Sequence, residues 1–395
     1  MNTICRAILL ALAMSGSLNS VTAQQTVVRA DNGFAMELFK TVCASEGQNN
    51  VCISPASAVM ALHMLYNGAA GETLSAMARA LDLFGLPADS INQQNLRLLK
   101  SLRSDDSLLE VDIANSIWSK EGLSPRRAFR DTLVACYEAE AISLPFNPAA
   151  VVRINRWVSD HTKGKIPKIV DDVDGLSLIL LNAIYFNGKW SKPFDKSLTK
   201  EQPFYGADGV PMPRQFMNQH DKYAYLRGDS FQAVKLPYAK GEMSMFVMLP
   251  DSGVDLREVV KTLTVENWNQ WTGRMSRTPG TIALPRFRLE FSRKLNDDLT
   301  ALGMGVIFEQ GRADFRNMYS LPTWVDWVVQ KTYMDVTEKG TEAAAVTGIG
   351  METAAVHVEP PPFKMIVNRP FLCAIRDERS GLLLFMCAVY NPKQS

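Results

Sequence analysis

The residues able to do covalent or acid–base chemistry in this chain are few and scattered. Four histidines stand at His63, His161, His220 and His357. No two lie three or four residues apart, so the spacing that sets two imidazoles around a metal on one helix face is missing. No Gly-x-Ser-x-Gly elbow presents a nucleophilic serine. Gly164-Lys165 and Gly188-Lys189 lack the upstream glycine of a phosphate loop. His63 sits in an apolar stretch and reads as a packed core histidine. Of six cysteines, Cys5 lies in the N-terminal segment; Cys43, Cys52, Cys136, Cys373 and Cys387 follow, with no Cys-x-x-Cys pair. Cys52, Cys373 and Cys387 lie in apolar, strand-like runs and read as buried free thiols. One disulfide is open to them in an oxidising compartment, and spacing does not say which. These residues name no catalytic group, no metal ligand and no cofactor.

One segment stands out for what can be done to it rather than by it. Glu338 to Ala355 reads EKGTEAAAVTGIGMETAA. Its alternate residues Thr341, Ala343, Ala345, Thr347, Ile349, Met351 and Thr353 carry no charge, and both acids of the other set, Glu342 and Glu352, lie opposite. A strand of this pattern enters a core on one face and meets solvent on the other. Pro360-Pro361-Pro362 then removes three backbone donors. The pattern is a segment able to be a strand yet tethered outside a sheet. On its own it reads first as an Ala-rich helix ended by Gly348, or a plain flexible linker.

The elements around it are readable. Ser54-Pro55 opens a helix and Asn67-Gly68 closes it. Helical patterning recurs over Ser124–Ala139 and Val151–Thr162. Leu178 to Phe186 is nearly all apolar and predicts a strand buried on both faces. Asn182 interrupts it, and a buried Asn must be hydrogen-bonded to neighbouring elements. Phe287, Leu289 and Phe291 alternate with charged residues, the mark of a half-buried strand. Met243–Leu249, Phe371–Ile375 and Leu382–Val389 are further strands. Helices fill the first third and strands the last half, which predicts an α+β fold with large, mostly antiparallel sheets.

Composition removes other classes. The 395 residues carry 42 Lys+Arg against 41 Asp+Glu, a net charge of +1, so no global basic field serves nucleic acid. After the N-terminus no apolar stretch is long enough to span a membrane. Met1 to Ala23 reads as a secretory signal peptide: Arg6, then apolar Ala7–Met14, then small residues at Val21-Thr22-Ala23. The expectation is a secreted, extracellular or periplasmic protein with one domain over 24–395.

Several collinear stretches resemble the serpin family. They are Asn50-Val51-Cys52-Ile53-Ser54-Pro55, Ile154-Asn155-Arg156-Trp157-Val158, Thr162-Lys163-Gly164-Lys165-Ile166 and Leu181 to Trp190. Leu284-Pro285-Arg286-Phe287, Ala313-Asp314-Phe315, Asn368-Arg369-Pro370-Phe371 and Phe385 to Pro392 continue the match. Glu338-Lys339-Gly340-Thr341-Glu342-Ala343-Ala344-Ala345 resembles the inhibitory hinge. The resemblance implies a large, mainly antiparallel central sheet, two further sheets, about nine helices and an exposed reactive-centre loop near 338–362.

It also implies a suicide-substrate inhibitor. A serine protease attacks the loop and forms an acyl-enzyme. The freed arm inserts into the central sheet and drags the protease with it. Counting Glu338 as first, the family's bond follows the seventeenth residue, Ala354, so Ala354-Ala355 is the expected scissile pair. A methyl side chain suits proteases with a small or shallow first pocket, elastase-like ones above all; trypsin-like enzymes need a basic residue. Met351 is the rival bait, and cysteine proteases are a secondary class of target. Carried over by resemblance, Arg286 and Glu338 form an ion pair at the top of the sheet and Trp190 lies beneath it. Ser54, Ser57 and Asn182 form a polar cluster where the central strands part, with Gln330 in place of the family's usual histidine. Gln330 donates and accepts but does not titrate. The expected partner is a protease bound covalently by a monomer, without nucleic acid or membrane. A non-inhibitory relative, acting as carrier or storage protein, is the alternative. Arg97, Lys100 and Arg103 hint at a small basic face for a polyanion, read first as ordinary solvated surface.

Overall fold

The computed structural model describes residues 26–103, 108–341 and 361–393. Nine α-helices lie among them, the first covering 26–46. The helix expected after Ser54 is Pro55–Gly68, with proline at its first position, but the Ser54 hydroxyl makes no cap bond. The helices expected near 124–139 and 151–162 are Arg127–Tyr137 and Pro148–His161. The second starts early because Asn147 caps it, its Oδ1 accepting from Ala149 N and Ala150 N at 3.0 and 3.1 Å. His63 is fully buried. Its Nδ1 meets the Asn95 amide at 2.9 Å, and burial pushes the imidazole down to about 4.

The central sheet has six strands in the order Phe287–Lys294, Trp327–Thr337, Gly340–Thr341, Leu178–Lys189, Leu109–Lys120 and Glu140–Leu144. Four of its six pairings are antiparallel. The exception that matters is at its centre. Trp327–Thr332 and Ile179–Ile184 pair in parallel, from Trp327↔Ile179 to Thr332↔Ile184. Every residue of Leu178–Phe186 is buried, as its apolar run predicts. Leu178 and Leu180 face one core; Ile179 and Leu181 face another, where Ile154 of helix Pro148–His161 covers the sheet. Ala183 continues that face against Val158 of the same helix.

Two further sheets were the expectation; the remaining strands instead form one hydrogen-bonded network of nine. The cause is the 17-residue strand Pro211–Arg227. It pairs with Lys200–Tyr205 at one end, Phe231–Tyr238 at the other and Ser276–Pro285 along its length, so it joins what would be separate sheets. The free-thiol reading is corrected for two cysteines. Cys52 and Cys387 are direct partners on adjacent antiparallel strands and form a disulfide, with Cα atoms 4.1 Å apart. Their separation of 335 residues explains why spacing gave no sign of it. Cys43, Cys136 and Cys373 are free and buried.

Candidate functional site

The lower part of the site lies where the two parallel central strands meet helix Pro55–Gly68. Gln330 is its hub. Its Oε1 accepts from Ser54 N at 3.0 Å, and its Nε2 donates to Ser54 O at 2.8 Å and Asn182 Oδ1 at 2.7 Å. The Asn182 amide in turn donates to Ser57 Oγ and, at 2.6 Å, to Asn115 Oδ1. Thr332 Oγ1 donates to Cys52 O at 2.6 Å. All of these residues are buried. One helix and three strands are therefore tied through primary amides, and parting the strands breaks buried hydrogen bonds. Ser54 takes part through its backbone; its hydroxyl is buried without a hydrogen-bond partner among the described residues.

The upper part lies where strand Trp327–Thr337 ends and the chain turns back. The loop's start was expected to be exposed. Glu338 and Thr341 are instead 6% and 2% exposed, and Gly340 is buried too. Gly340 and Thr341 form a two-residue strand wedged between the central pair. Val336↔Thr341 and Thr337↔Gly340 pair on one side, Gly340↔Lys189 and Thr341↔Gly188 on the other, all antiparallel. Geometry demands glycine at Gly340. Its φ is +143°, and a Cβ there would lie 2.1 Å from the Gly188 carbonyl oxygen.

Glu338 and Arg286 meet as the resemblance implies. Arg286 Nε donates to Glu338 Oε1 at 2.7 Å, Nη2 binds the same oxygen, and Thr199 Oγ1 adds a third bond at 2.6 Å. Burial pushes the Glu338 carboxyl up, but the bonds from Arg286 and Thr199 outweigh it and hold the group below its ordinary value. Trp190 lies against the turn. Its indole donates to Thr337 O at 2.9 Å and its backbone N to Lys339 O at 3.0 Å. Phe194 N donates to Glu338 O at 2.9 Å.

Sequence reading missed three members. Tyr238 is fully buried, stacks on Trp190 at 4.4 Å and meets Thr341 Oγ1 at 2.7 Å. Thr199 and Asn115 complete the bonds of Glu338 and Asn182. None carries a local signal, since each of these hydrogen-bond partners lies at least 67 residues away. Of the expected basic face, Arg103 pairs with Glu138. Glu342, Ala343, Ala344, Ala345, Ala354 and Ala355, and the segment Met1–Ala23, lie outside the described residues. Among the described residues no group of three or more His, Cys, Asp or Glu is placed to hold a metal.

The sequence and fold as a whole have known relatives. The family model "Serpin (serine protease inhibitor)" matches residues 29–392. Serpin B6 of Macaca fascicularis is 34% identical over 378 residues, 93% of this chain and 99% of that protein. The native state of the thermophilic serpin tengpin superposes with a TM-score of 0.85 at 31% identity, covering 92% of this chain and 94% of that one. Thyroxine-binding globulin in complex with thyroxine superposes with a TM-score of 0.84, covering 93% of this chain and 99% of that one. Its identity is 24%, a likeness of fold alone. With the family model spanning almost the whole chain and a full-length relative at 34% identity, this protein belongs to the serpin family.

Proposed function

We propose that this chain is a secreted suicide-substrate inhibitor of serine proteases. A protease cleaves the segment after Glu338 and is held as an acyl-enzyme while the upstream arm becomes a strand of the central sheet. The observation that carries this reading is the wedge. Gly340 and Thr341 already pair with both neighbours, so the seam accepts an added antiparallel strand from this end. The residues that follow, Glu342 and then three alanines, are small on the face that continues Thr341 inward. A bulky inward residue there would cost about 1–3 kcal/mol as overpacking.

The elastase-like preference rests on Ala354-Ala355 and its methyl side chains; cysteine proteases are a second class of target. Secretion rests on Met1–Ala23, leaving one domain that acts as a monomer. A carrier role, drawn from the fold shared with thyroxine-binding globulin, is the second reading. The small, uncharged inward set of the hinge favours the inhibitor.

The test is incubation with an elastase-like protease. An SDS-stable complex, with a released peptide beginning at Ala355, supports the reading. Cleavage of the loop with no complex at any ratio points to the carrier. Secretion is tested separately by the N-terminus of protein recovered from the medium, which should begin at Gln24.

A further inference from the structure

Three cysteines stand side by side across three neighbouring strands. Cys52↔Cys387 is a direct register pair of Val51–Ile53 with Leu383–Val389, and Cys373↔Cys387 pairs Phe371–Asp377 with the same strand. Directly opposed residues point to one face of a sheet. The packing agrees: Cys52, Cys373 and Cys387 share one core, while their strand neighbours Val51, Leu372 and Ala388 face the other. Cys387 therefore has a cysteine on either side and is bonded to one of them, Cys52. Cys373 is left as a buried thiol.

The two partners reach Cys387 differently. Phe371–Asp377 and Leu383–Val389 form a local hairpin, whose turn is held by the Asp377 carboxylate accepting from Ser380 N at 2.9 Å. In an open chain, closing the roughly 14 residues from Cys373 to Cys387 is on the order of a hundredfold more favourable than closing the 335 from Cys52, by the three-halves power of length. Val51–Ile53 comes from the other end of the chain and sits at the edge of the nine-stranded sheet, paired with Leu383–Val389. It reaches Cys387 only when the two ends of the chain meet.

We propose that these residues form a disulfide relay: Cys373 pairs first with Cys387 in the hairpin, and Cys52 takes Cys387 over when Val51–Ile53 docks. The first bond needs a small-molecule disulfide such as oxidised glutathione, which takes up two electrons and the two thiol protons and leaves as two thiols. The second step is exchange. Cys52, as thiolate, attacks Cys387 Sγ; the Cys52–Cys387 bond forms and the Cys373–Cys387 bond breaks. Cys373 leaves with the electron pair and takes up the proton that Cys52 gave up, so no electron enters or leaves the chain. Burial then pushes the Cys373 thiol up to about 12, which keeps it protonated and unable to attack in return. The finished bond ties down the strand whose Cys52 carbonyl accepts from Thr332, and Ser54, just beyond it, is gripped by Gln330. The last covalent step of folding thus fastens the seam. The relay does not rest on the inhibitor reading.

The test refolds the full chain, reduced and denatured, in oxidised and reduced glutathione. Samples are quenched with acid and mapped as disulfide-linked peptides. Cys373–Cys387 should rise first and decay as Cys52–Cys387 grows. A first bond elsewhere, or Cys52–Cys387 formed directly from the reduced chain, overturns the relay. A second arm removes glutathione in acid when Cys373–Cys387 is at its peak. On return to neutral pH the Cys52–Cys387 bond should still form, at a rate independent of protein concentration. A bond that stays on Cys373 until oxidant is restored overturns the exchange. Cys52→Ser should end with Cys373–Cys387, and Cys373→Ser should form the native bond severalfold more slowly. A folded Cys52→Ser protein with both remaining thiols free, or an unchanged rate in Cys373→Ser, also overturns the relay.

Discussion

The Tyr238 hydroxyl lies 2.7 Å from the Thr341 hydroxyl, inside the sheet and away from solvent. The pair joins the nine-stranded sheet to the wedge of the six-stranded one. Tyr238 also stacks on Trp190 at 4.4 Å, so the first inward residue of the hinge is gripped from a side that does not belong to its own sheet.

Tyr238→Phe should destabilise the protein by about 0.5–1.5 kcal/mol. Thr341→Val alone should cost a similar amount, and the double variant less than the sum. Urea unfolding of the four proteins measures the coupling. Strict additivity would show that the two hydroxyls do not work as a pair.

Gly340→Ala should expel the wedge. The added methyl meets the Gly188 carbonyl at 2.1 Å, and the φ of +143° is denied to alanine. We expect a lower Tm and faster cleavage of the segment after Thr341. An unchanged proteolysis rate would mean that the wedge does not control access to the loop.

Glu338 sets an acid limit. Its folded-state carboxyl is held below the ordinary value, net of burial, by Arg286 and Thr199. The stabilisation is therefore present above the unfolded carboxyl's pKa, and is lost as pH falls through the folded value. In Arg286→Ala the main opposing bond is gone and burial dominates. The Glu338 carboxyl should then rise above its unfolded value, so the variant is least stable near pH 7 and regains part of the loss as pH falls through the raised value, where the wild type only loses stability. Tm against pH from 7 to 3 checks this; superimposable profiles would count against it.

Gln330→His should convert a pH-silent seam into a titrating one. The amide at Gln330 accepts one bond and donates two. A neutral imidazole accepts one and donates one, so a buried group loses a partner, at about 1–3 kcal/mol. Burial holds the folded-state histidine below its unfolded pKa of about 6.5, so stability is lost as pH falls through that range. Unfolding at pH 7.5 and 5.5 should show a larger drop in the variant than in the wild type.

Ala354→Arg should redirect trapping toward trypsin-like proteases, whose first pocket demands a basic residue. Wild type and variant are compared for SDS-stable complexes with trypsin. Equal yields would place the scissile bond elsewhere, with Met351 the next candidate.

Much of this arrangement is legible from the chain because it is written locally. The apolar run from Leu178 names the central strand, and the polar break at Asn182 names a junction. Asn182 meets a helix and both flanking strands, through Ser57, Asn115 and Gln330. What stays hidden is pairing across distance. Tyr238 and Thr341 are separated by 103 residues, and Thr199 and Glu338 by 139. Neither tyrosine nor threonine says by its type which element it will face. The fusion of the outer strands into one sheet depends on the path of Pro211–Arg227, and alternation along a strand does not report its neighbours.

The parallel pairing between Trp327–Thr332 and Ile179–Ile184 gives the molecule a direction. Adjacent parallel strands are slightly less stable per residue than antiparallel ones. A strand that enters with the polarity of Gly340–Thr341 replaces each parallel step by two antiparallel ones. In backbone pairing alone such an exchange gains at each step, and the bond from Gln330 to Asn182 is the side-chain tie it would have to break. The sheet acts as a zip fastener with its slider already seated on the first two teeth.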